Sequence, residues 1–322
     1  MAAHRAVTAT RRTDDNLGER REVRHLPDGL ATSVERLTGS HAERARPLGG
    51  GDASEAYEVT LATGDRVFAK SAPSGMPGAL EAEAASLRWL GESGQARVPR
   101  VHGQDERWLV TDHVSAVTPT RKAAEDFGRQ LARVHASGAR AHGCPPPGGP
   151  REAWIGLAPM RNDPGTDWPT FYRALRVEPY VRELVDAGTL GTDEAATIDE
   201  ACELLDQLPG ADEPPARLHG DLWSGNVHWG HDPVDGSTGV WMIDPATHGG
   251  HRETDLAMLN LFGCPHLEEI LGAYEDERPL AEGWRQRVGL HQLFPLLVHG
   301  VLFGRGFAAR AVGVAREALR GH

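Results

Sequence analysis

Lysine is almost missing from this chain: its 322 residues carry 32 arginines and two lysines, Lys70 and Lys122. Where arginine is the default cation, a retained lysine marks a place that wants a compact point charge rather than a broad planar fork, as a phosphate pocket inside a sheet does. Lys122, beside Arg121 at an expected helix start, fits chance retention instead. Cysteine is scarce too. Cys144, Cys202 and Cys264 are odd in number, widely spaced and without CxxC or Cys/His ligand spacing, which argues against a disulfide framework or a zinc site and suits a reducing cytoplasm. The longest apolar stretch, near Phe294 to Phe303, is broken by Pro295, His299 and Gly300, well short of the roughly 18 apolar residues of a membrane span. Positive charge is in deficit, with a formal net charge of -12 and no local basic patch. Nucleic acid and anionic membranes are therefore poor partners, and a small molecule is the better one. What is present, 39% hydrophobic and 25% charged residues, is enough for two lobes around a cleft; a monomer is expected.

Residues 1 to about 28 hold six arginines and four acids up to His25 with almost no apolar periodicity, so a disordered tail is expected there. No apolar stretch of signal-peptide length follows those arginines. Strict alternation from Tyr57 to Leu61, the turn Thr63-Gly64-Asp65 and a second alternation from Arg66 to Ser71 predict a hairpin. Leu80, Ala84, Leu87 and Leu90 predict a helix from Ala79 to Leu90, with Glu83 off the apolar stripe and Gly91 as the stop. A strand is expected at Trp108 to Val114 and a helix at Arg121 to Ser137. The Pro/Gly-rich stretch Ala141 to Pro150 predicts a loop. Asn226 to Trp229 and Val240 to Ile243 form a second hairpin signal, and helices dominate thereafter.

The densest chemical signal is His219-Gly220-Asp221-Leu222-Trp223-Ser224-Gly225-Asn226, followed after the hairpin by Ile243-Asp244-Pro245. Phosphoryl transfer needs a carboxylate to receive the acceptor hydroxyl's proton and oxygen ligands to hold magnesium against the phosphates. Asp221 as base, with Asn226 five residues on and Asp244 beyond the next strand pair as metal ligands, match that need. A plain turn held by Asp and Asn side chains is the alternative for the first segment alone. Upstream, Gly49, Gly50, Gly51 and Ser54 precede the first hairpin, where backbone N–H groups can approach phosphates, although a surface turn accounts for three glycines equally well. Lys70 ends the hairpin's second strand, where a phosphate-binding cation belongs. Glu83 is its natural ion-pair partner, with Glu81 equal to it by composition.

With Trp223 after the aspartate, with Ile243-Asp244-Pro245-Ala246, and with the run Gly249-Gly250-His251-Arg252-Glu253-Thr254-Asp255-Leu256-Ala257-Met258, the chain resembles the fructosamine kinase (ketosamine-3-kinase) family over roughly residues 29 to 310. Leu261-Phe262-Gly263, Trp154-Ile155-Gly156, Asp167-Trp168-Pro169-Thr170-Phe171 and Leu302-Phe303-Gly304 extend the likeness. The family is itself similar to aminoglycoside and choline kinases. The resemblance implies ATP bound between lobes, with Thr111, Asp112 and His113 as the hinge at adenine, and transfer to the O3 hydroxyl of a ketosamine, a step towards deglycation. It implies that Asp255 braces the catalytic loop, a helix cap being the alternative, and His219 and His248 are placed on the acceptor side. Trp223, beside the aspartate, can stack on a sugar's C–H face or on an apolar amine substituent, with simple wall packing as the alternative. The chain departs from the family at Asp52, where several relatives carry cysteine, at Met160-Arg161-Asn162 and at His248-Gly249.

The expectation is an α+β, two-lobed protein-kinase-like fold, with a sheet lobe at 29–114 and a helical lobe at 115–322, using ATP and Mg2+ on a small-molecule ketosamine. An aminoglycoside phosphotransferase would instead show a highly acidic acceptor pocket. An inactive nucleotide-binding module would lack a base or a metal ligand, and none is lacking. A protein kinase is disfavoured because no activation segment separates Asp244 from the helix near Asp255.

Overall fold

The computed structural model describes residues 26–49, 54–232 and 236–321. Gly50, Gly51 and Asp52, the tail up to His25 and the turn Pro233-Val234-Asp235 lie outside the described residues. Leu26 to Asp28, expected in the tail, belong to the first lobe: Leu26 packs against its core and Arg107 Nη2 donates to the Asp28 carbonyl at 3.0 Å.

The first lobe holds α1 (Leu30–Thr38), β1 (Ala42–Leu48), β2 (Ala56–Leu61), β3 (Arg66–Ser71), α2 (Ala79–Glu92), β4 (Val101–Gln104) and β5 (Trp108–Asp112). Its five strands form one antiparallel sheet in the order β1-β2-β3-β5-β4. Leu30, Val34, Val59, Val67, Ala69 and Val110 fill the core between α1 and the sheet, while α2 packs Leu80 and Ala84 on Leu109. The expected hairpin and helix are there with small differences at the ends. Gly91 does not stop α2, which runs to Glu92; Ser93 caps it, its hydroxyl donating to the Leu90 carbonyl at 2.7 Å and accepting the Gln95 N–H at 3.1 Å. The strand expected to reach Val114 ends at Asp112, where the chain leaves the sheet and the Val117 N–H bonds to the Trp229 carbonyl at 2.9 Å, tying the crossing to the second lobe.

The second lobe contains α3 (Arg121–Ala136), β6 (Glu152–Ile155), β7 (Ala158–Arg161), α4 (Trp168–Tyr172), a π-helical turn Arg173–Val177, α5 (Glu178–Asp186), α6 (Thr192–Cys202), β8 (Ala216–Leu218), β9 (Val227–His231), β10 (Thr238–Met242), β11 (His248–Gly250), α7 (Glu253–Phe262), α8 (Leu267–Glu277), α9 (Trp284–Phe303) and α10 (Arg305–Gly321). The expected 226–229 strand starts one residue later, because Asn226 belongs to a 3-10 turn with Ser224 and Gly225. Among the described residues no helix is long and apolar enough to cross a membrane. Pro295 lies inside α9 and cannot donate to the His291 carbonyl four residues back, a loss of about 3 kcal/mol if nothing replaces it. The Tyr172 hydroxyl takes that place, donating to the His291 and Leu290 carbonyls at 2.9 Å. This is what the buried Trp168-to-Tyr172 segment does for the lobe.

Candidate active site

Asp255, at the start of α7, builds the catalytic loop from below. Fully buried, its carboxylate accepts the His219 N–H at 2.7 Å and the Gly220 N–H at 3.0 Å, and His135 Nε2 lies 3.1 Å away. Burial works against its charge, but His135, His219 and these N–H groups hold it below the ordinary carboxylate range. The helix-cap alternative therefore gives way to a brace. Gly220 must be glycine: its φ is 85°, and a Cβ there would meet the Ala246 carbonyl oxygen at 2.1 Å.

On that loop, Asp221 and Asn226 face each other. The Asn226 amide nitrogen donates to the Asp221 carboxylate at 3.0 Å and to its carbonyl at 2.8 Å, bonds that do not involve Oδ1. Burial, joined by the nearby Asp244 charge, pushes Asp221 up to about 7, against the pull of Asn226; a carboxylate poised there can take up or release a proton near neutral pH. Asp244 sits in the left-handed region at φ 49°, a conformation Asp tolerates at modest cost, and its carboxylate accepts from Lys70 Nζ at 2.8 Å. Lys70 also donates to Glu83 at 2.8 Å, whereas Glu81 points to solvent. Burial opposes the Lys70 charge, yet Glu83 and Asp244 outweigh it and hold its pKa above the lysine norm. Lys122 is exposed and among the described residues pairs only along its own helix, with Asp126.

Two cavities meet here. One, of about 570 Å³, lies under the sheet and is lined by Phe68, Thr111, Asp112, His113 and Ile243 among others. The other, of about 350 Å³, runs past Asp221, Asn226 and Trp223 to Met76, Trp154 and Phe303. Ser54, Lys70, Glu83 and Asp244 line both. Gly49, the one described residue of the glycine cluster, lines the first cavity. Among the described residues the Ser54 hydroxyl and His113 Nδ1 are buried without a partner, which leaves hydrogen-bonding capacity for a ligand in the first cavity.

Trp223 is 39% exposed; its ring lies over Gly225, where a Cβ would meet it at 2.2 Å, and edge-on to Phe262. His219 and His248 do not join it in the cavity wall. Both are buried: His219 takes the Asp221 N–H on Nδ1 and bonds the Ile243 carbonyl through Nε2, and His248 bonds the Ala246 carbonyl. Each shapes the loop from behind. His251, Glu253 and His291 bring ligand atoms within 4.8 Å of one another, but Arg287 occupies both Glu253 oxygens at 2.6 and 3.1 Å and the Glu253 N–H bonds to His251 Nδ1. This cluster is a brace between α7 and α9.

Two cavities that share a wall at Lys70, Glu83 and Asp244, with Asp221 lining one of them, suit a group transfer between two bound molecules. With a phosphate-sized point charge at the meeting point, the class is that of the small-molecule kinases, built on the protein-kinase-like fold. Comparison with known sequences makes this specific: the family model for fructosamine kinases matches residues 29–320, and the chain belongs to that family. It is 32% identical over 273 residues to a probable ketoamine kinase of Thermus thermophilus, covering 84% of this chain and 93% of that one. The chloroplastic protein-ribulosamine 3-kinase of Arabidopsis thaliana is 28% identical over 306 residues, 92% of this chain and 86% of that one. A Thermobifida fusca crystal structure, described as a candidate fructosamine-3-kinase, superposes with a TM-score of 0.82 at 44% identity, over 90% of this chain and 98% of that one.

Proposed function

We propose that this kinase transfers the γ-phosphate of ATP to the O3 hydroxyl of a ketosamine, the sugar adduct that glycation leaves on an amine. The observation that carries the reading is the junction of the two cavities at Lys70, Glu83 and Asp244, with Asp221 on the acceptor side of it. Asp221 orients the hydroxyl and takes its proton as the new bond to the γ-phosphorus forms and the bond to the β,γ-bridging oxygen breaks, releasing ADP. Lys70, steadied by Glu83, holds the phosphates, and the Ser54 hydroxyl adds a donor. Asn226 Oδ1 and the Asp244 carboxylate are the groups that would hold Mg2+, which supplies charge neutralisation when bound. Thr111, Asp112 and His113 flank the base of the nucleotide.

Acceptor chemistry is argued from the wall of the smaller cavity. Its only carboxylates among the described residues are Glu83, Asp221 and Asp244, and the remainder is largely apolar, with Met76, Trp154, Leu157, Trp223 and Phe303. A polycation needs converging carboxylates, whereas an uncharged polyol with one amine substituent suits indole and apolar walls. The relatives' names, ketoamine kinase and ribulosamine 3-kinase, point the same way. Such a 3-phosphate tends to eliminate and free the amine, so the product chemistry is deglycation. A reducing cytoplasm agrees with three free cysteines, and a monomer suffices because one chain supplies both cavities. ATP turnover measured against ribulosamines, fructosamines, free ketoses, aminoglycosides and choline tests the reading. The highest kcat/KM is expected on a ketosamine; preference for an aminoglycoside or choline contradicts it.

A further inference from the structure

We infer that Asn162, held by the buried guanidinium of Arg176, is an acceptor-binding residue that donates hydrogen bonds to an oxygen of the substrate at the floor of the smaller cavity. The inference deepens the reading above and rests on it only for the acceptor's identity.

The starting point is a surplus of donors with nothing to receive them. Arg176 lies in the π-helical turn Arg173–Val177, a local overwinding that recurs at functional sites, and is 1% exposed. Among the described residues no carboxylate lies within ion-pair distance of it, an arrangement a buried cation seldom adopts. Its Nη1 donates to the Arg161 carbonyl at 2.8 Å and the Leu175 carbonyl at 3.1 Å, its Nη2 to Asn162 Oδ1 at 2.5 Å, and its Nε has no acceptor among the described residues. The rings of Phe171 and Phe294 lie 4.7 and 5.5 Å from its Cζ, which eases the charge without neutralising it. Burial lowers its pKa only to about 10, so it stays charged at neutral pH.

Asn162 transmits this to the cavity. Guanidinium donates only, so the amide atom facing it is the oxygen, and Nδ2 with its two hydrogens points elsewhere. Asn162 is 0% exposed, its Nδ2 has no partner among the described residues, and the residue lines the cavity that holds Asp221 and Trp223. Its backbone is fixed by an N–H bond to the Arg151 carbonyl at 2.8 Å. A buried amide left unsatisfied carries a desolvation penalty, which a bound oxygen offsets. The floor is therefore polarised for lone pairs. A sugar hydroxyl, ring or carbonyl oxygen fits it, and an ammonium approaching the same place meets the field of Arg176.

The test is Asn162→Asp, which keeps an oxygen for Arg176, gives it a counter-ion and removes both N–H donors. The variant should be at least as stable to heat as the wild type, with the acceptor KM raised about tenfold or more and the ATP KM within about twofold of wild type. An acceptor KM within about twofold of wild type overturns the inference. A second measurement needs no variant: among ketosamines lacking one non-reacting oxygen, at least one should show a KM about tenfold higher with wild-type enzyme. If every such analogue binds as the parent does, no buried donor reads the substrate. Should the wild type prefer some other acceptor, the proposed reaction fails on that ground. The Asn162→Asp comparison on the preferred acceptor then still decides the present inference, a raised KM supporting it and an unchanged KM overturning it.

Discussion

The two cavities share Ser54, Lys70, Glu83 and Asp244, yet their charges are managed in opposite ways. Under the sheet every charge has a partner: Glu58 on β2 bonds Arg46 on β1 and Arg66 on β3, and Lys70 lies between two carboxylates. Beneath the acceptor cavity a guanidinium is buried with no counter-ion, and the donors it supports are left open. A paired roof suits a cosubstrate brought by its phosphates, with the metal supplying the missing charge. An unpaired floor suits an acceptor whose own oxygens complete the hydrogen bonding, and under the proposed reading specificity is set in the second cavity.

The largest expected effect lies at the junction. Asp221→Asn removes the proton acceptor but keeps shape and the Asn226 contact, so kcat should fall roughly 10²- to 10⁴-fold or more with ATP affinity retained. Near-normal turnover in steady-state kinetics of the folded variant removes Asp221 from its role.

The scaffold of the acceptor side comes next. Glu253→Gln leaves the buried Arg287 without its charge partner and should cost about 3 kcal/mol in a denaturant titration. The pH dependence of the same site has a definite sign. Burial opposes the Glu253 charge, but His291 and Arg287 hold its pKa at about 2, and burial together with the neighbouring His291 holds His251 at about 3. Both folded values lie below the unfolded ones, so the unfolded state takes up protons first. This stability is present above about pH 6.5 and is lost progressively down to about pH 2. In the variant the slope below about pH 4.5 should be shallower by about one proton; an unchanged slope means Glu253 is not the group titrating.

Lys70→Arg should lower kcat/KM by about 10²-fold, because a planar fork cannot replace a point charge held at 2.8 Å by both Glu83 and Asp244. Full activity would leave the scarcity of lysine without meaning. The smallest effect sharpens the contrast between cavities: Trp223→Ala should raise the ketosamine KM by roughly tenfold and leave the ATP KM nearly unchanged. Equal changes on both substrates make the indole a structural wall.

The junction was legible in the sequence because its parts are local. Asp221 and Asn226 lie five residues apart on one loop, Asp244 follows one hairpin later, and Lys70 is fixed by a strand end; the choice of Glu83 over Glu81 as its partner came only with the structure. Elements lacking local periodicity were not. In β1 a bulge between Ala42 and Arg44 spaces the buried alanines three apart, which hides the alternation, and α1 is a short helix between two left-handed glycines. The pairing of β8 with β11 joins segments about thirty residues apart over three positions. Asn162 was visible only as a departure from the family pattern. Its meaning depends on Arg176, fourteen residues on, which a π turn carries inward. His219 and His248 sit in the right segments but face the interior, since their ring nitrogens serve backbone groups.

The central claim is transfer to a secondary hydroxyl of a ketosamine, and phosphorus NMR of wild-type enzyme, ATP and a ketosamine tests it most directly. The account predicts a new phosphate ester coupled to a single sugar proton, which decays to inorganic phosphate as free amine appears. A stable ester coupled to two protons, the mark of a primary phosphate, or a new ester only when an aminoglycoside replaces the ketosamine, would contradict it.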